Sequence, residues 1–566
     1  MSRPARRAAR GLLAFALLAC LPAACGREPP SPEAERTASP GLATSRLVFG
    51  GDVFLGRRVN EALYDRKQRH GIFAGIRERL KAADLVVANG EGVISGGGAF
   101  TDKGEVSSYM YRAHPDAATL LADAGIDVVL LGNNHALDYG GAALVETCDR
   151  LLTAGLDYAG GGRDPADARR PAYRRIGDTV VAVVGADLTR TRGWMAADGR
   201  PGLLSWDMRR ADHGEVAREL LAVLVEARRR AHVVILSPHW GENWERVPAR
   251  WQRELARTLV RGGYDAIVGH SSHYCHGIEV IDGRPVIHDA GNLLLDYGGG
   301  NREHQGFLWE LEITSAGVTA TRGLPLRLER NRTSPAAGER RDRMLAELTR
   351  LSAALGTTVI SDGGEALVRC DPGGMRGPAG AADPPRRAVP ERIAAAPVDT
   401  IVPTLPPGAR PARVRFAEGV ELVGYRLLLD ELGPGSGQFV ALYFTADRPP
   451  DGALRVHLEA RRHREGSEPE ATRSSHIPGD WLLPADRWPP GAIVQDWTLL
   501  QLRWPFGGEV GFHAGLSLGG RVLKPVESSL PQDDQGLALL GTATYRKGAR
   551  RMFDIWADFR RSLEAP

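Results

Sequence analysis

Six places in the sequence set a carboxylate, an imidazole or a side-chain amide after a short apolar run and beside a glycine. Arg46–Phe49 runs into Gly50-Gly51-Asp52, Leu85–Ala88 into Asn89-Gly90-Glu91, and Ile126–Leu131 into Gly132-Asn133-Asn134-His135. Further on, His232–Leu236 leads to Ser237-Pro238-His239-Trp240-Gly241-Glu242, Ala266–Val268 to Gly269-His270-Ser271-Ser272-His273, and Pro285–Ile287 to His288-Asp289-Ala290-Gly291-Asn292. One Gly-Asp or one histidine at such a point reads as a turn or a satisfied side chain. Repeated through a single stretch, they form a mixed oxygen and nitrogen donor set suited to Zn, Mn or Fe. Cysteine is absent from these ends apart from Cys275, which argues against a structural thiolate zinc site.

The elements that must position these groups follow from the periodicity. Between Leu47 and about Gly363 the apolar runs, with Thr179–Val184 among them, alternate with helical patterns at Pro115–Ala124, Ala142–Ala154, His213–Arg230 and Pro248–Gly262. That alternation predicts an α/β domain over 45–363. Ligands of an open α/β sheet gather at the carboxyl edge of its strands, where the glycines let the backbone turn.

The ordered set Gly51-Asp52-Val-Phe-Leu-Gly56-Arg57, Ala88-Asn89-Gly90-Glu91, Asn133-Asn134-His135-Ala-Leu-Asp138-Tyr139-Gly140, His239-Trp240-Gly241-Glu242 and Gly269-His-Ser-Ser-His273 resembles the successive motifs of the CapA (poly-γ-glutamate capsule synthesis) family. His276-Gly277-Ile278-Glu279 and Gly291-Asn292-Leu293 continue the match, which spans roughly 45–355. That family is related in fold to metallophosphoesterases. The resemblance implies two divalent ions (Mn, Zn or Fe): Asp52 on one, Glu91 bridging, Asn134, His239 and His270 on the second, and His273 completing the first. His135 would be the proton donor to a leaving oxygen, with Asn89, Asp138, Glu242 and Asn292 in the same cleft. Two departures stand out. Phe54 sits where the first motif would carry a histidine, and two serines separate His270 from His273 instead of one residue. The resemblance thus leaves two readings open: a metal-dependent phosphoesterase-like hydrolase, or a non-catalytic subunit of a membrane polymer-synthesis complex whose cleft holds an anionic polymer or a phosphoryl group.

The chain around this domain supplies an address and a second fold. At 566 residues it is too long for one ordinary core. Its 43% hydrophobic and 25% charged content fits globular domains, and a formal net charge of +3 without a basic stripe argues against nucleic acid as partner. Arg3, Arg6, Arg7 and Arg10 precede the apolar run Gly11–Ala19, which predicts a signal segment over 1–25. Cys20 and Cys25 are the candidate lipidation points, so an exported protein is expected, anchored to the envelope by an N-terminal lipid or freely secreted, with 26–44 as tether. Proline-rich composition marks 371–412 as a linker. Beyond it, the runs Glu421–Leu429, Gln438–Phe444, Leu454–Ala460 and Val510–Leu518 between Gly/Pro turns predict an all-β sandwich over 413–548, closed by a helix at 550–566. This segment is similar to β-sandwich domains appended to bacterial membrane glycosyltransferases. Trp481, Trp488, Trp497 and Trp504 are candidates for a carbohydrate-stacking face or for the sandwich core. Gly160-Gly161-Gly162-Arg163 lacks the Lys-Ser/Thr of a phosphate-binding loop, and Ser271 and Ser272 lack a nucleophile-elbow context.

Overall fold

The computed structural model describes residues 43–99, 101, 109–189, 194–296, 306–329, 331–373, 383–384, 386–393, 400–428, 431–432, 437–462, 470–502 and 508–545. The signal segment with Cys20 and Cys25, nearly all of the tether, Trp504 and the helix expected at 550–566 lie outside the described residues. No helix among the described residues is long and apolar enough to cross a membrane.

The N-terminal fold is built on two sheets. The first runs Ile360–Asp362, Glu365–Arg369, Gly317–Glu329, Gly306–Thr314, Ser45–Phe54, Leu85–Glu91, Val128–Leu130, Asp157–Ala159, with the last four strands parallel. The second runs Ile278–Ile281, Arg284–Ile287, Ala266–Val268, Val233–Trp240, Thr179–Leu188, Ala172–Ile176. Side-chain alternation makes each sheet two-faced, and both faces are apolar. Leu47, Phe49, Leu85 and Val87 meet Val181, Val183, Val233 and Ile235 between the sheets. The residues one step along each strand, Val48, Val86 and Val129, face helices instead, packing with Leu120, Leu144 and Leu151. On the far side, Val184, Val234 and Ile267 pack with Val216, Leu220, Leu255 and Leu259 of the His213–Arg228 and Arg250–Gly262 helices. The result is four layers, helix–sheet–sheet–helix, in which each buried Leu or Val contributes about 1.5–3 kcal/mol. This is the α/β layering expected of the sequence.

The helices end close to where the sequence predicts. Asp212 caps His213–Arg228 by accepting from Glu215 N, and Gly125, at φ +96°, closes Ala117–Ala124 in the left-handed region. The strands differ more. Ser45–Phe54, Leu85–Glu91 and Val233–Trp240 each run three to five residues beyond their apolar runs. Asp52, Glu91 and His239 therefore lie in strands, not after them.

The C-terminal region is a β-sandwich. One sheet runs Ile401–Val402, Ile493–Gln501, Gly437–Ala446, Val420–Leu427, Arg410–Phe416, Pro525–Ser528; the other runs Glu431–Leu432, Ala538–Tyr545, Glu509–Leu518, Leu454–Arg462, Glu470–His476. Val440, Leu442 and Phe444 of one meet Val456, Leu458 and Phe512 of the other. Trp488 packs in this core against Phe444, and Trp497 is buried on the opposite face with Phe439 and Tyr443. Core packing is thus the observed role of both tryptophans, while Trp481 stacks on His476. Within the proline-rich stretch, Arg387 is buried in the first domain, bonded to Asp157 and Asp167 with its guanidinium over Tyr158.

Candidate metal centre

Asp52 reaches the carboxyl edge because the strand bulges just before it. Pairing with Leu85–Glu91 shifts register between Phe49 and Asp52. A Cβ at Gly51 would lie 1.9 Å from the Gly291 carbonyl, so only glycine admits the approach that lets Asp52 N donate to Gly291 O. Register then places Asp52 beside Asn89 on one side and beside Asn292 on the other, and Glu91 beside Phe54. The second sheet delivers His239 at the end of its strand, bridged to His270. Ser271 at φ +120° and His273 at φ +63° bend the chain back, so the extra serine is absorbed in a loop that returns His273 to Asp52.

The groups converge around one carboxylate. Asp52 Oδ1 is 3.8 Å from Nδ1 of both His239 and His270, and Asp52 Oδ2 is 3.1 Å from His273 Nδ1. His239 and His270 face each other at 2.8 Å between Nδ1 atoms, and His273 Nε2 is 3.9 Å from Glu91 Oε1. Two interlocking triads result, Asp52–His239–His270 and Asp52–Glu91–His273, each with its ligand atoms within 4.8 Å of one another. Asp52 is common to both triads, and Glu91 belongs to one of them. Asn134 Oδ1 is buried with no hydrogen-bond partner among the described residues.

The supporting groups hold these donors in place. Asn89 Nδ2 donates to Asp52 Oδ1 at 2.8 Å and lies 3.3 Å from His239 Nδ1, while Asn89 Oδ1 accepts from Asn133 Nδ2. Asn292 Nδ2 donates to the His273 carbonyl, and its Oδ1 lies 3.1 Å from His273 Nδ1. His135 stands beside the triads: Nδ1 is 2.7 Å from Asp138 Oδ2, Nε2 is 3.8 Å from Glu91 Oε1, and the ring stacks on Tyr111. Glu242 is placed elsewhere, at the surface with Arg209. Phe54 fills the position of the missing histidine with an aromatic wall, its ring edge-on to Tyr111 and beneath Arg57.

Burial and mutual charge set the protonation pattern. Burial alone would raise the Asp52 carboxyl, but contact with His273 and the imidazoles of His239 and His270 outweigh it and hold it well below the usual range. Burial pushes His270 down to about 4 and His239 further below its ordinary value, each only partly offset by Asp52. Burial acts on His273 too, yet the charges of Glu91, Asp52 and Asp289 carry it up to about 10. A buried carboxylate facing two neutral imidazoles is a donor pattern suited to a divalent cation. The residues fit the metal that the motifs imply.

Several members escape sequence reasoning. Asp187, beside His239 in register, accepts from Ser205 and Thr189 at the end of a strand whose apolar run stops earlier. Asp289 accepts from the backbone of Ser272 and Gly291, fixing the loop between the two histidines. Tyr111 and Arg57 carry no periodicity or motif signal beyond the Gly56-Arg57 pair.

These groups form a candidate divalent-cation centre where the carboxyl edges of two layered sheets of an α/β domain meet. Residues 46–297 match the family described as bacterial capsule synthesis protein PGA_cap. The chain is similar to a probable polyglutamine synthesis accessory protein of Mycobacterium tuberculosis, 29% identical over 359 residues covering 56% of this chain and 93% of that protein. It is similar also to the PGA biosynthesis protein CapA of Bacillus subtilis, 28% identical over 251 residues covering 44% of this chain and 63% of the relative. Among solved structures, a phosphatase from Mycoplasma pneumoniae aligns with a TM-score of 0.31 and 14% identity, over 50% of this chain and 94% of that one. At that TM-score the alignment bears no weight.

Proposed function

We propose that this chain is an exported, envelope-facing protein of capsule, poly-γ-glutamate or exopolymer assembly, whose N-terminal domain is a metal-dependent phosphoesterase-like hydrolase. The observation that carries the catalytic part is the pair of triads sharing Asp52, with His135 poised beside them. The relatives' names and the signal-like N-terminus support the setting. Asp52, Glu91, His239, His270 and His273, with Asn134, would hold the ions. Bound divalent cations would supply Lewis acidity toward a phosphoryl or acyl oxygen. The chain's own residues do the rest. His135 Nδ1 lies 2.7 Å from Asp138 Oδ2, so in the imidazolium form Nδ1–H donates to Asp138 and Nε2–H is the proton available to a departing oxygen. Tyr111 stacks on the ring and limits its rotation. Asn89 and Asn292 keep Asp52 and His273 in register with the centre.

A second reading rests on Phe54. An aromatic ring in place of one imidazole leaves the Asp52–Glu91–His273 triad a donor short, which favours a cleft that holds an anionic polymer for a membrane synthesis complex without turning it over. Elemental analysis of purified protein, with hydrolysis of bis-p-nitrophenyl phosphate in Mn²⁺ by wild type and Glu91→Gln, separates the two. Bound metal and activity lost in the variant support the hydrolase; metal-free protein insensitive to chelation sinks it.

A further inference from the structure

The surroundings of His135 extend into the C-terminal sandwich. Tyr111, whose ring lies 4.2 Å from that of His135 between centroids, also donates its backbone N–H to Asp138 Oδ2 at 2.7 Å. The next residue, Arg112, has a side chain only 1% exposed. Its guanidinium lies 4.4 Å over the ring of Tyr139, the neighbour of Asp138, and Nη2 bonds Asp480 Oδ2 at 2.6 Å. Asp480 belongs to the other fold. It sits in a loop where Asp480 and Trp481 both take positive φ, +54° and +67°. Two consecutive left-handed non-glycine residues are costly and persist only where the surroundings impose them. Here a buried pair does so: Asp496 accepts from Asp480 N through Oδ1 and contacts His476 Nε2 through Oδ2, and Trp481 stacks on His476. The interface continues with Tyr64 donating to the Leu482 carbonyl and with the Arg455–Glu61 ion pair.

We propose that the 478–483 loop of the sandwich is a positioning element of the candidate centre: Asp480 fixes Arg112, and Arg112 fixes the Tyr111 and Tyr139 segments that frame His135 and Asp138. The sandwich is then part of the site's architecture, not an appendage carried beside it. This rests on the reading of His135 as proton donor, and the positioning itself is measurable without activity.

The test is hydrogen exchange by mass spectrometry on the full-length protein, comparing wild type, Asp480→Ala, Arg112→Lys and Glu61→Ala. In Asp480→Ala, peptides covering 109–113 and 135–140 exchange about tenfold faster while those covering 239–273 do not change. Arg112→Lys, which keeps the charge but loses the planar face over Tyr139, behaves alike and guards against misfolding of the first variant. Glu61→Ala breaks a different interdomain pair and leaves both peptides at wild-type rates. In the hydrolysis assay, Asp480→Ala lowers kcat about tenfold with KM within about twofold, because the donor is misaligned and binding is not. Unchanged exchange in Asp480→Ala, or equal acceleration in Glu61→Ala, overturns the proposal. A wild-type protein that hydrolyses nothing defeats the proton-donor reading instead, and the exchange arm still decides the positioning.

Discussion

The N-terminal domain and the C-terminal sandwich each bury a histidine against an aspartate, and the two pairs are close in geometry: His135 Nδ1 to Asp138 at 2.7 Å, His476 Nε2 to Asp496 at 2.9 Å. Their second ring nitrogens differ. On His476 the second nitrogen, Nδ1, has Ser474 Oγ at 3.5 Å, Thr498 Oγ1 shares Nε2 with Asp496 at 3.0 Å, and Trp481 covers the ring. His135 turns Nε2 toward Glu91 and a cluster of donors that crowd one another. A His–Asp pair closed on all sides fixes a loop; the proposed function would have the same pair, with one nitrogen turned toward Glu91, move a proton.

Substitutions that exchange these roles break or sharpen the contrast. Asp52→Asn removes the carboxylate common to both triads; metal content falls toward zero by elemental analysis and hydrolysis drops on the order of a hundredfold or more. His135→Gln lowers kcat by about 10²–10⁴ while metal stoichiometry stays at the wild-type value, since the residue belongs to neither triad. His476→Ala does the opposite: it leaves Asp496 buried without its imidazole, lowering stability by about 3 kcal/mol in thermal unfolding with metal retained. Retention of full stability in that variant would show that the sandwich pair is not structural.

The smallest effect is on acid stability. Glu279 is buried, but His288 at 3.0 Å, Arg253 at 3.3 Å and Arg257 at 2.6 Å outweigh that burial and depress its carboxyl to about 2. A carboxyl lowered in the folded state stabilises above its unfolded value near 4.5, and the contribution disappears as pH falls from there toward 2. About 2 kcal/mol is expected after solvent screening. Glu279→Gln should flatten this part of the stability-versus-pH curve, and an unchanged slope would remove the assignment.

Much of the N-terminal site is legible in sequence because its donors follow apolar runs beside glycines. Asp52, Glu91, His239 and His270 meet because parallel strands share one carboxyl edge, and a reader of strand ends can find them. Tyr111 and Arg112 are invisible to that reading. Their element, Arg112–Ala113, is two residues long and pairs with Val93–Ile94 far back in the chain. Glu242 carried the same local signal as its neighbours, yet the turn at Gly241 sends it to the surface. Proline-rich composition suggests a linker over 371–412, but composition cannot reveal that Arg387 within it is buried. That depends on Asp157 and Asp167, presented by a distant strand and helix.

Arg387 also alters how the two folds find each other. Pinned to Asp157, Asp167 and the Tyr158 carbonyl, it divides the connection between them into two shorter spans. Halving the span between two tethered points of a chain lowers the closure cost by about 0.6 kcal/mol and raises the local concentration at which one end meets the other. The sandwich is thereby kept within reach of Arg112 even when an individual interface bond is lost.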